Sequence, residues 1–407
     1  MTALLIRDAM LLLDEGPMRG DLRIEDGRIA AVGDASAAGA RVIDAAGRLL
    51  APGLVDIHGD AFERQIEPRP GVRVDTAIAL LETDRQLAAN GITTACHALT
   101  LSWEPGLRSL AMAGEVLDTL ARLAPRLTVE HRVQLRWETF CFEALPLIRR
   151  ALDGPLTPSI AFNDHTSMVL RPIGMAVADR PDPLTETASP DDPALAVRLA
   201  KAAARSGLSP ASYIDLLMAR WARRDEAEAM IAEVAALGRA AGAPMLSHDD
   251  CQPVTRARFA ALGVRIAEFP MTRAAAEAAR TAGDAVVLGA PNVMRGGSHN
   301  GAVDAAGMIA DGLCDILASD YYYPAMLAAA ARLSGPMGLG PARAWSAVSG
   351  APAAALGLHD RGRIAPGARA DLLLLDWPET PGAPPAIRLT LSAGRIAALS
   401  DSALAPS

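Results

Sequence analysis

The pattern of apolar and polar positions changes twice along the 407-residue chain. Residues 1–50 contain short apolar runs separated by glycine-containing turns, which predicts a small all-β unit. The other end is similar, with strand-like runs at 370–376 and 387–392. Neither end is long enough to build a good core alone, so we expect both to pack into one small composite β-sandwich domain, formed by residues 1–51 and 360–407.

The middle of the chain alternates between strand-like segments and alanine-rich helical stretches. The strand-like segments are 54–60, 92–98, 132–138, 159–165, 244–250, 264–269, 285–291 and 315–321. The helical stretches include 76–89, 108–122, 225–241 and 273–282. Repeated strand-then-helix units predict a parallel sheet. Eight such units predict an α/β fold of the TIM-type (β/α)8 barrel class over residues 52–359.

One barrel connection, residues 166–243, is longer than the others. Its segment 180–193 is rich in Pro, Asp and Thr and predicts a loop, and helices are expected at 194–206 and 210–224. Long connections in barrels often cover the active site, so residues 166–243 form either a lid or a helical decoration away from the site.

Bulk composition limits the partners of the chain. Hydrophobic residues make up 51% and charged residues 21%, which is typical of a globular protein. No apolar run is as long as a membrane span, and we expect a cytoplasmic protein without membrane contact. The net charge of −8 argues against nucleic acid as the main partner but does not exclude a small anionic substrate. The sequence leaves open whether the chain forms a homo-oligomer.

Candidate metal ligands follow several of the predicted strands. His58 and Asp60 end the first barrel strand and share one face of it, because side chains two residues apart in a strand point the same way. Catalytic residues of such barrels lie at the carboxyl ends of the strands. The other donors at or near strand ends are Glu138, His165, His248 and Asp320.

Imidazole and carboxylate ligands suit zinc, manganese or iron. Six donors exceed the need of one four-coordinate ion, so we expect two divalent ions, with Glu138 able to bridge them. Asp320 is expected both to ligate a metal and to accept a proton from attacking water.

Candidate anion-binding residues lie in loops near the same strands. The run Arg295-Gly296-Gly297-Ser298-His299 combines an arginine fork with glycines that let backbone N–H groups converge on phosphate. Arg64 and Arg69 follow the first metal strand. Ser298 and His299 are expected to contact substrate, and His299 is also a candidate proton donor. Arg136 shares a strand face with Glu138 and is a candidate buried charge partner of that carboxylate, with substrate binding as the alternative role.

These residues resemble the amidohydrolase superfamily. Its opening Pro-Gly-x-x-Asp-x-His matches Pro52 to His58, and the run from Gly362 to Asp371 is similar to its return strand. The resemblance covers nearly the whole chain. It implies a metal-dependent hydrolase with a barrel and a composite β-sandwich.

A narrower resemblance points to the diphosphatases of phosphonate catabolism. It rests on short runs that begin at Glu67, Gly91, Glu130, Ser247, Ala267, Gly289, Arg295 and Ser319. This resemblance implies water attack at phosphorus, departure of diphosphate from a ribose methylphosphonate triphosphate, and most of the ligand set above. Three motifs depart from that family. Where it has His-Thr-Asp-Asn, Pro-Gly-Gln and Ser-His-Ser-Gly-Asn, this chain has His58-Gly59-Asp60-Ala61, the run 166–169 and the run 298–302.

Two other interpretations remain open at this point. The same metal site also suits hydrolysis of a cyclic amide, a lactone or an N-acyl substrate, and pocket charge separates that chemistry from polyphosphate hydrolysis. A barrel that has lost catalysis and serves as a scaffold is the third interpretation, and a complete ligand set with Asp320 argues against it.

Overall fold

The computed structural model describes residues 3–171, 175–180, 193–298, 301–335, 337–378 and 383–405. Its strands are β1 (Ala3–Leu13), β2 (Gly16–Glu25), β3 (Arg28–Gly33), β4 (Ala40–Asp44), β5 (Leu49–Pro52), β6 (Leu54–Gly59), β7 (Ile92–Leu101), β8 (Glu130–Glu138), β9 (Ser159–Asn163), β10 (Met245–His248), β11 (Ile266–Glu268), β12 (Ala285–Gly289), β13 (Ile316–Ala318), β14 (Leu372–Asp376), β15 (Ala386–Ser392) and β16 (Arg395–Leu399).

Its helices are α1 (Glu63–Ile66), α2 (Thr76–Ala89), α3 (Leu110–Leu123), α4 (Leu145–Leu152), α5 (His165–Val169), α6 (Pro193–Arg205), α7 (Pro210–Trp221), α8 (Ala227–Ala240), α9 (Pro253–Ala261), α10 (Arg273–Thr281), α11 (Ala290–Arg295), α12 (Ala305–Ala310), α13 (Ala325–Ser334), α14 (Pro341–Ser346) and α15 (Gly350–Ala355). None of the helices in the described ranges combines the length and the apolarity needed to cross a bilayer.

Strands β6 to β13 form a parallel sheet in which each strand pairs with the next along the chain. Backbone hydrogen bonds join its first and last strands, since the Asp320 N–H donates to the His58 carbonyl at 3.0 Å and the Asp60 N–H to the Asp320 carbonyl at 2.9 Å. The predicted TIM-type barrel is therefore confirmed. Its interior is filled by small and branched side chains, namely Val55, Ile57, Cys96, Ala161, Leu246, Ile266, Val287 and Ile316.

Some of the helices around the barrel, including α2, α3 and α10, begin at a capping side chain that accepts from their free N–H groups. Helix α2 illustrates this, because the Asp75 carboxylate accepts from the N–H groups of Ala77 and Ile78 at 3.0 Å. Leu80 and Leu87 on the same helix are fully buried. A good cap and a regular apolar face explain why the sequence predicted this helix at the observed residues.

The two chain ends come together in one small β unit, as predicted, and their strands form a second, mixed sheet. Its order is β16-β15-β14-β5-β1-β2-β3, and β4 pairs with β1. Strand β1 has a register shift between Ile6 and Ala9, so its first half pairs with β4 and its second half with β5. One apolar core contains residues of both ends, including Leu22 and Leu374.

This sheet is attached to the amino-terminal side of the barrel. The Gly53 N–H donates to the Asp371 carbonyl at 2.8 Å, just before β6 begins. At the start of β8, the Glu130 carboxylate accepts from Arg361 at 2.7 Å and from Arg369 at 3.1 Å. These contacts leave the opposite side of the barrel, where the strands end, free to form a site.

Helices α6 and α7 pack against segments that follow β8 and β9. Their core includes Phe140, Leu170, Leu199 and Trp221. Both helices lie close to the predicted positions, while most of the predicted loop at 180–193 falls outside the described residues. The predicted strand 159–165 is two residues shorter, because Asp164 caps helix α5 by accepting from the Ser167 N–H at 2.9 Å.

Candidate metal and active site

A pocket of about 190 Å³ opens at the carboxyl ends of the barrel strands. Its walls are partly charged and partly apolar. The lining residues are His58, Asp60, Arg136, His248, Asp249, Phe269, Pro270, Met271, Leu288, Gly289, Pro291, Asn292, Ser298, Ala302, Val303, Asp320 and Tyr321.

The end of β6 supplies His58 and Asp60, as the alternating pattern predicted. His58 is buried and Asp60 is half-buried. The preceding Asp56 fixes this strand end, since its carboxylate accepts from the N–H groups of Ser319 at 3.0 Å and His58 at 3.3 Å. Asp56 thus links β6 to the chain just after β13, which places Asp60 beside Asp320.

Asp320 follows β13 and has a φ of 54°. Asp249 and Phe269, which follow β10 and β11, have φ values of 59° and 52°. Left-handed conformations are unfavourable for most side chains, and Asp and Asn tolerate them better than most. Burial, and after it the nearby Asp60 carboxylate, raises the pKa of Asp320 to about 6.

Three groups of donor atoms lie close enough to hold a metal ion, with all ligand atoms of a group within 4.8 Å of one another. The groups are His58, Asp60 and Asp320; His165, His248 and Asp249; and His58, His248 and Glu268. Five of the six predicted ligands appear in them. The third group shares His58 with the first and His248 with the second, and this set of imidazoles and carboxylates suits one or two divalent ions of the predicted kinds.

Glu138 is the predicted ligand that belongs to none of these groups within the described ranges. Its carboxylate accepts from the backbone N–H groups of His165 and Thr166, each at 3.1 Å, and from the Thr166 hydroxyl at 3.0 Å. His165 is the first residue of helix α5 rather than the end of a strand, and its Nδ1 lies 3.4 Å from Glu138 Oε2. The local role of Glu138 here is to hold His165 beside the mouth.

Glu268, at the end of β11, is a residue of the site that the sequence did not single out. It is fully buried beneath the pocket, with Oε1 2.9 Å from His58 Nδ1 and Oε2 2.8 Å from His248 Nδ1. Burial acts to lower the pKa of His58, but the Glu268 carboxylate outweighs it and raises that pKa. Burial lowers the pKa of His248. The sequence signal that could have identified Glu268 is a lone acidic residue in an apolar strand.

Arg136 also lies in the pocket, but not beside Glu138 as its position in β8 led us to expect. Its Nη2 is 3.2 Å from His248 Nε2, and its Nη1 is 3.8 Å from Asp60 Oδ2. The side chain is 10% exposed. These partners lie at the ends of β6 and β10, each two strands away from β8. The Glu138 carboxylate instead accepts three hydrogen bonds from α5.

Most of the predicted anion-binding residues do not line the pocket. Ser298 lines the pocket, whereas Arg64, Arg69 and Arg295 are exposed and do not. Arg64 donates to the Tyr321 carbonyl. Arg295 is the last residue of helix α11, which begins directly after β12. The prediction for His299 lies outside the described residues.

Comparison with known proteins identifies relatives along most of the chain. The Amidohydrolase family profile matches residues 210–398. The chain is 31% identical over 388 residues to the alpha-D-ribose 1-methylphosphonate 5-triphosphate diphosphatase of Escherichia coli (strain K12). This alignment covers 91% of this chain and 94% of that protein. A shorter match, 35% identical over 54 residues, is to an allantoinase of Bacillus licheniformis and covers 13% of this chain and 12% of that protein.

Solved structures share the same fold at low sequence identity. N-isopropylammelide isopropylaminohydrolase from Burkholderia multivorans is 20% identical with a TM-score of 0.60, over 97% of this chain and 98% of that one. L-hydantoinase from Arthrobacter aurescens is 17% identical with a TM-score of 0.59, over 98% and 96% of the two chains. Family profile, full-length relative and fold agree, and the chain is a hydrolytic enzyme that belongs to the amidohydrolase superfamily.

Proposed function

We propose that this enzyme is a metal-dependent diphosphatase that releases diphosphate from alpha-D-ribose 1-methylphosphonate 5-triphosphate or a close analogue, in the breakdown of phosphonates. The observation that carries the proposal is the buried Arg136 guanidinium, which shares one pocket with the candidate metal ligands. A cation beside a metal site suits a polyphosphate, because arginine binds phosphate oxygens through charge-assisted hydrogen bonds. The full-length relative with this named activity supports the same substrate class.

The residues that would hold the divalent ions form two groups that share no residue: His58, Asp60 and Asp320 in one, and His165, His248 and Asp249 in the other. Ions bound there lower the pKa of water and polarise phosphoryl oxygens. Their separate positions around a shared mouth support the expectation of two ions.

The remaining steps belong to side chains of the chain itself. Asp320 accepts a proton as the water oxygen bonds to the phosphorus nearest the sugar, and the bond from that phosphorus to the bridging oxygen breaks. The two outer phosphates leave together as diphosphate. Arg136 and Ser298 line the pocket where the charged oxygens lie, and we infer that Arg136 leaves His248 for the substrate.

Hydrolysis of a cyclic amide, lactone or N-acyl substrate is the second candidate. The observation in its favour is the apolar part of the pocket wall, which includes Phe269, Met271, Leu288 and Val303. In the described part of the chain, Arg136 is the single arginine that lines this pocket. An uncharged substrate would contact the apolar wall, and Arg136 would keep its contacts with Asp60 and His248.

A competition assay tests the proposal against this second candidate. The metal-loaded enzyme is given the ribose methylphosphonate triphosphate, ATP, and a panel of cyclic amides and lactones, each at the same concentration. We expect diphosphate release from the phosphonate, with a higher kcat/KM than for ATP. Ring opening of an amide or lactone without diphosphate release would overturn the proposal and establish the second candidate.

A further inference from the structure

The Glu268 carboxylate contacts two histidine rings at once. Each of its oxygens faces a ring nitrogen, with Oε1 2.9 Å from His58 Nδ1 and Oε2 2.8 Å from His248 Nδ1. The Gln134 amide also donates to Oε1 at 2.7 Å and reaches the Ile57 carbonyl at 3.3 Å. Glu268 is fully buried and is not part of the pocket lining.

These contacts decide which nitrogen of each histidine carries a proton. An ionised carboxylate only accepts hydrogen bonds, so both histidines must present Nδ1–H to it. A neutral imidazole with Nδ1–H has its lone pair on Nε2. An independent contact agrees for His248, because the guanidinium of Arg136 only donates and lies 3.2 Å from His248 Nε2.

The same residues also fix the directions of the two rings. The His58 and His248 rings are 5.8 Å apart and nearly parallel, with an interplanar angle of 19°. Phe269 packs edge-on against both, at 4.9 Å from the His58 ring and 5.4 Å from the His248 ring. Each ring is thus held by a hydrogen bond at Nδ1 and an aromatic edge beside it, which leaves Nε2 as the atom for a ligand.

We propose that Glu268 is a positioning residue that holds His58 and His248 in the tautomer with free Nε2 atoms, so that both nitrogens are ready to bind a divalent ion. This inference rests on the metal-dependent site proposed above. Carboxylates that accept from the far nitrogen of a ligating histidine orient the ring and raise its basicity. Gln134 supports the arrangement by fixing Oε1.

The variant Glu268→Gln tests the tautomer argument directly. A glutamine amide offers one acceptor and one donor, so one histidine must present Nδ1 as an acceptor and carry its proton on Nε2. That nitrogen then has no lone pair for a metal. We expect affinity for Zn²⁺ or Mn²⁺, measured by competition with a fluorescent chelator, to fall about 10–100-fold. Glu268→Asp keeps acceptor-only chemistry and is expected to recover part of the loss.

Asp84→Asn is the matched control. Asp84 is a buried carboxylate in α2 that accepts from His131 at 3.0 Å, outside the three donor groups. The Asp84→Asn substitution removes the same charge next to a histidine, and we expect it to lower stability without changing metal affinity. Circular dichroism confirms that each variant is folded.

Nitrogen-15 NMR of the wild-type histidines reads the tautomers without any variant. At a pH high enough for both rings to be neutral, we expect His58 and His248 to be protonated at Nδ1. In Glu268→Gln one of the two rings should change to the Nε2–H form. Wild-type metal affinity retained in Glu268→Gln would overturn the positioning role alone. Loss of a bound ion with both tautomers unchanged would make Glu268 a ligand instead. Wild-type protein that binds no divalent ion would overturn the proposed function and this inference together.

Discussion

The substitution Gly53→Ala is expected to destabilise the junction between the mixed sheet and the barrel. A Cβ at this position would lie 2.3 Å from Oγ1 and 2.6 Å from Cγ2 of Thr93, which is fully buried in β7. The Gly53 backbone cannot move away easily, because its N–H donates to the Asp371 carbonyl at 2.8 Å and its carbonyl accepts from the Ser349 hydroxyl at 2.6 Å. Either Thr93 or these hydrogen bonds must give way.

The size of the effect follows from those contacts. Overpacking a buried site costs about 1–3 kcal/mol, and loss of one hydrogen bond would add about 0.5–1.5 kcal/mol, so the free energy of unfolding should fall by about 1–4.5 kcal/mol. Urea unfolding followed by circular dichroism measures this difference. The variant Gly114→Ala is the control, since it lies inside α3 with its nearest atom, Arg150 Nη2, at 3.4 Å. It should stabilise the protein by about 0.5–1 kcal/mol.

A double-mutant cycle identifies Thr93 as the cause. Thr93→Ala removes the two atoms nearest to the new methyl group and leaves Cβ at 3.0 Å. The double variant Gly53→Ala/Thr93→Ala should therefore be more stable than the sum of the single effects by about 1–3 kcal/mol. Additive effects, or a Gly53→Ala protein as stable as wild type, would refute the steric argument.

Three further predictions concern charge and metal. Arg136→Ala should raise the KM for the triphosphate about 10–100-fold while leaving hydrolysis of a neutral ester or amide probe unchanged, and equal effects on both in steady-state kinetics would contradict a phosphate-binding role. Although burial opposes it, the contacts with Arg361, Arg369 and Arg132 lower the pKa of Glu130 below 4.5. The stability that Glu130 contributes is therefore present above that pH and lost as pH falls through its folded pKa. The melting-temperature gap between wild type and Glu130→Gln should shrink on acidification, and a gap independent of pH between 6 and 3 would contradict the ion pair. Chelation should lower the melting temperature of the metal-loaded protein, because an ion at about 100 times its Kd adds about 2.7 kcal/mol, and an unchanged temperature would count against a tightly bound ion.

Local patterns in the sequence were sufficient to predict most of the fold. Helix α2 is predicted at its observed residues because its cap, Asp75, and its apolar face are both local signals. The eight barrel strands are likewise read from short apolar runs. The strand ends were harder to predict. For example, Asp164 and His165 were assigned to a strand, but Asp164 caps helix α5 and His165 is its first residue.

The site was harder to predict where it depends on contacts between distant parts of the chain. His58 and Asp60 follow from alternation within one strand. Glu268 contacts His58 across 210 positions, and such a pair is visible only once the strand order of the barrel is known. Arg136 was assigned to the wrong partner for the same reason. Its true neighbours, Asp60 and His248, lie on other strands.

The most direct test of the central claim is diphosphate release by the metal-reconstituted protein and by its Asp320→Asn variant. Asn is the suitable replacement because it keeps the shape of the side chain and tolerates the positive φ at this position. We predict diphosphate release from the ribose methylphosphonate triphosphate by wild type, and a rate at least about 100-fold lower in the variant, as expected for loss of a general base. An Asp320→Asn protein with nearly wild-type release, or a wild-type protein that releases none, would contradict the account.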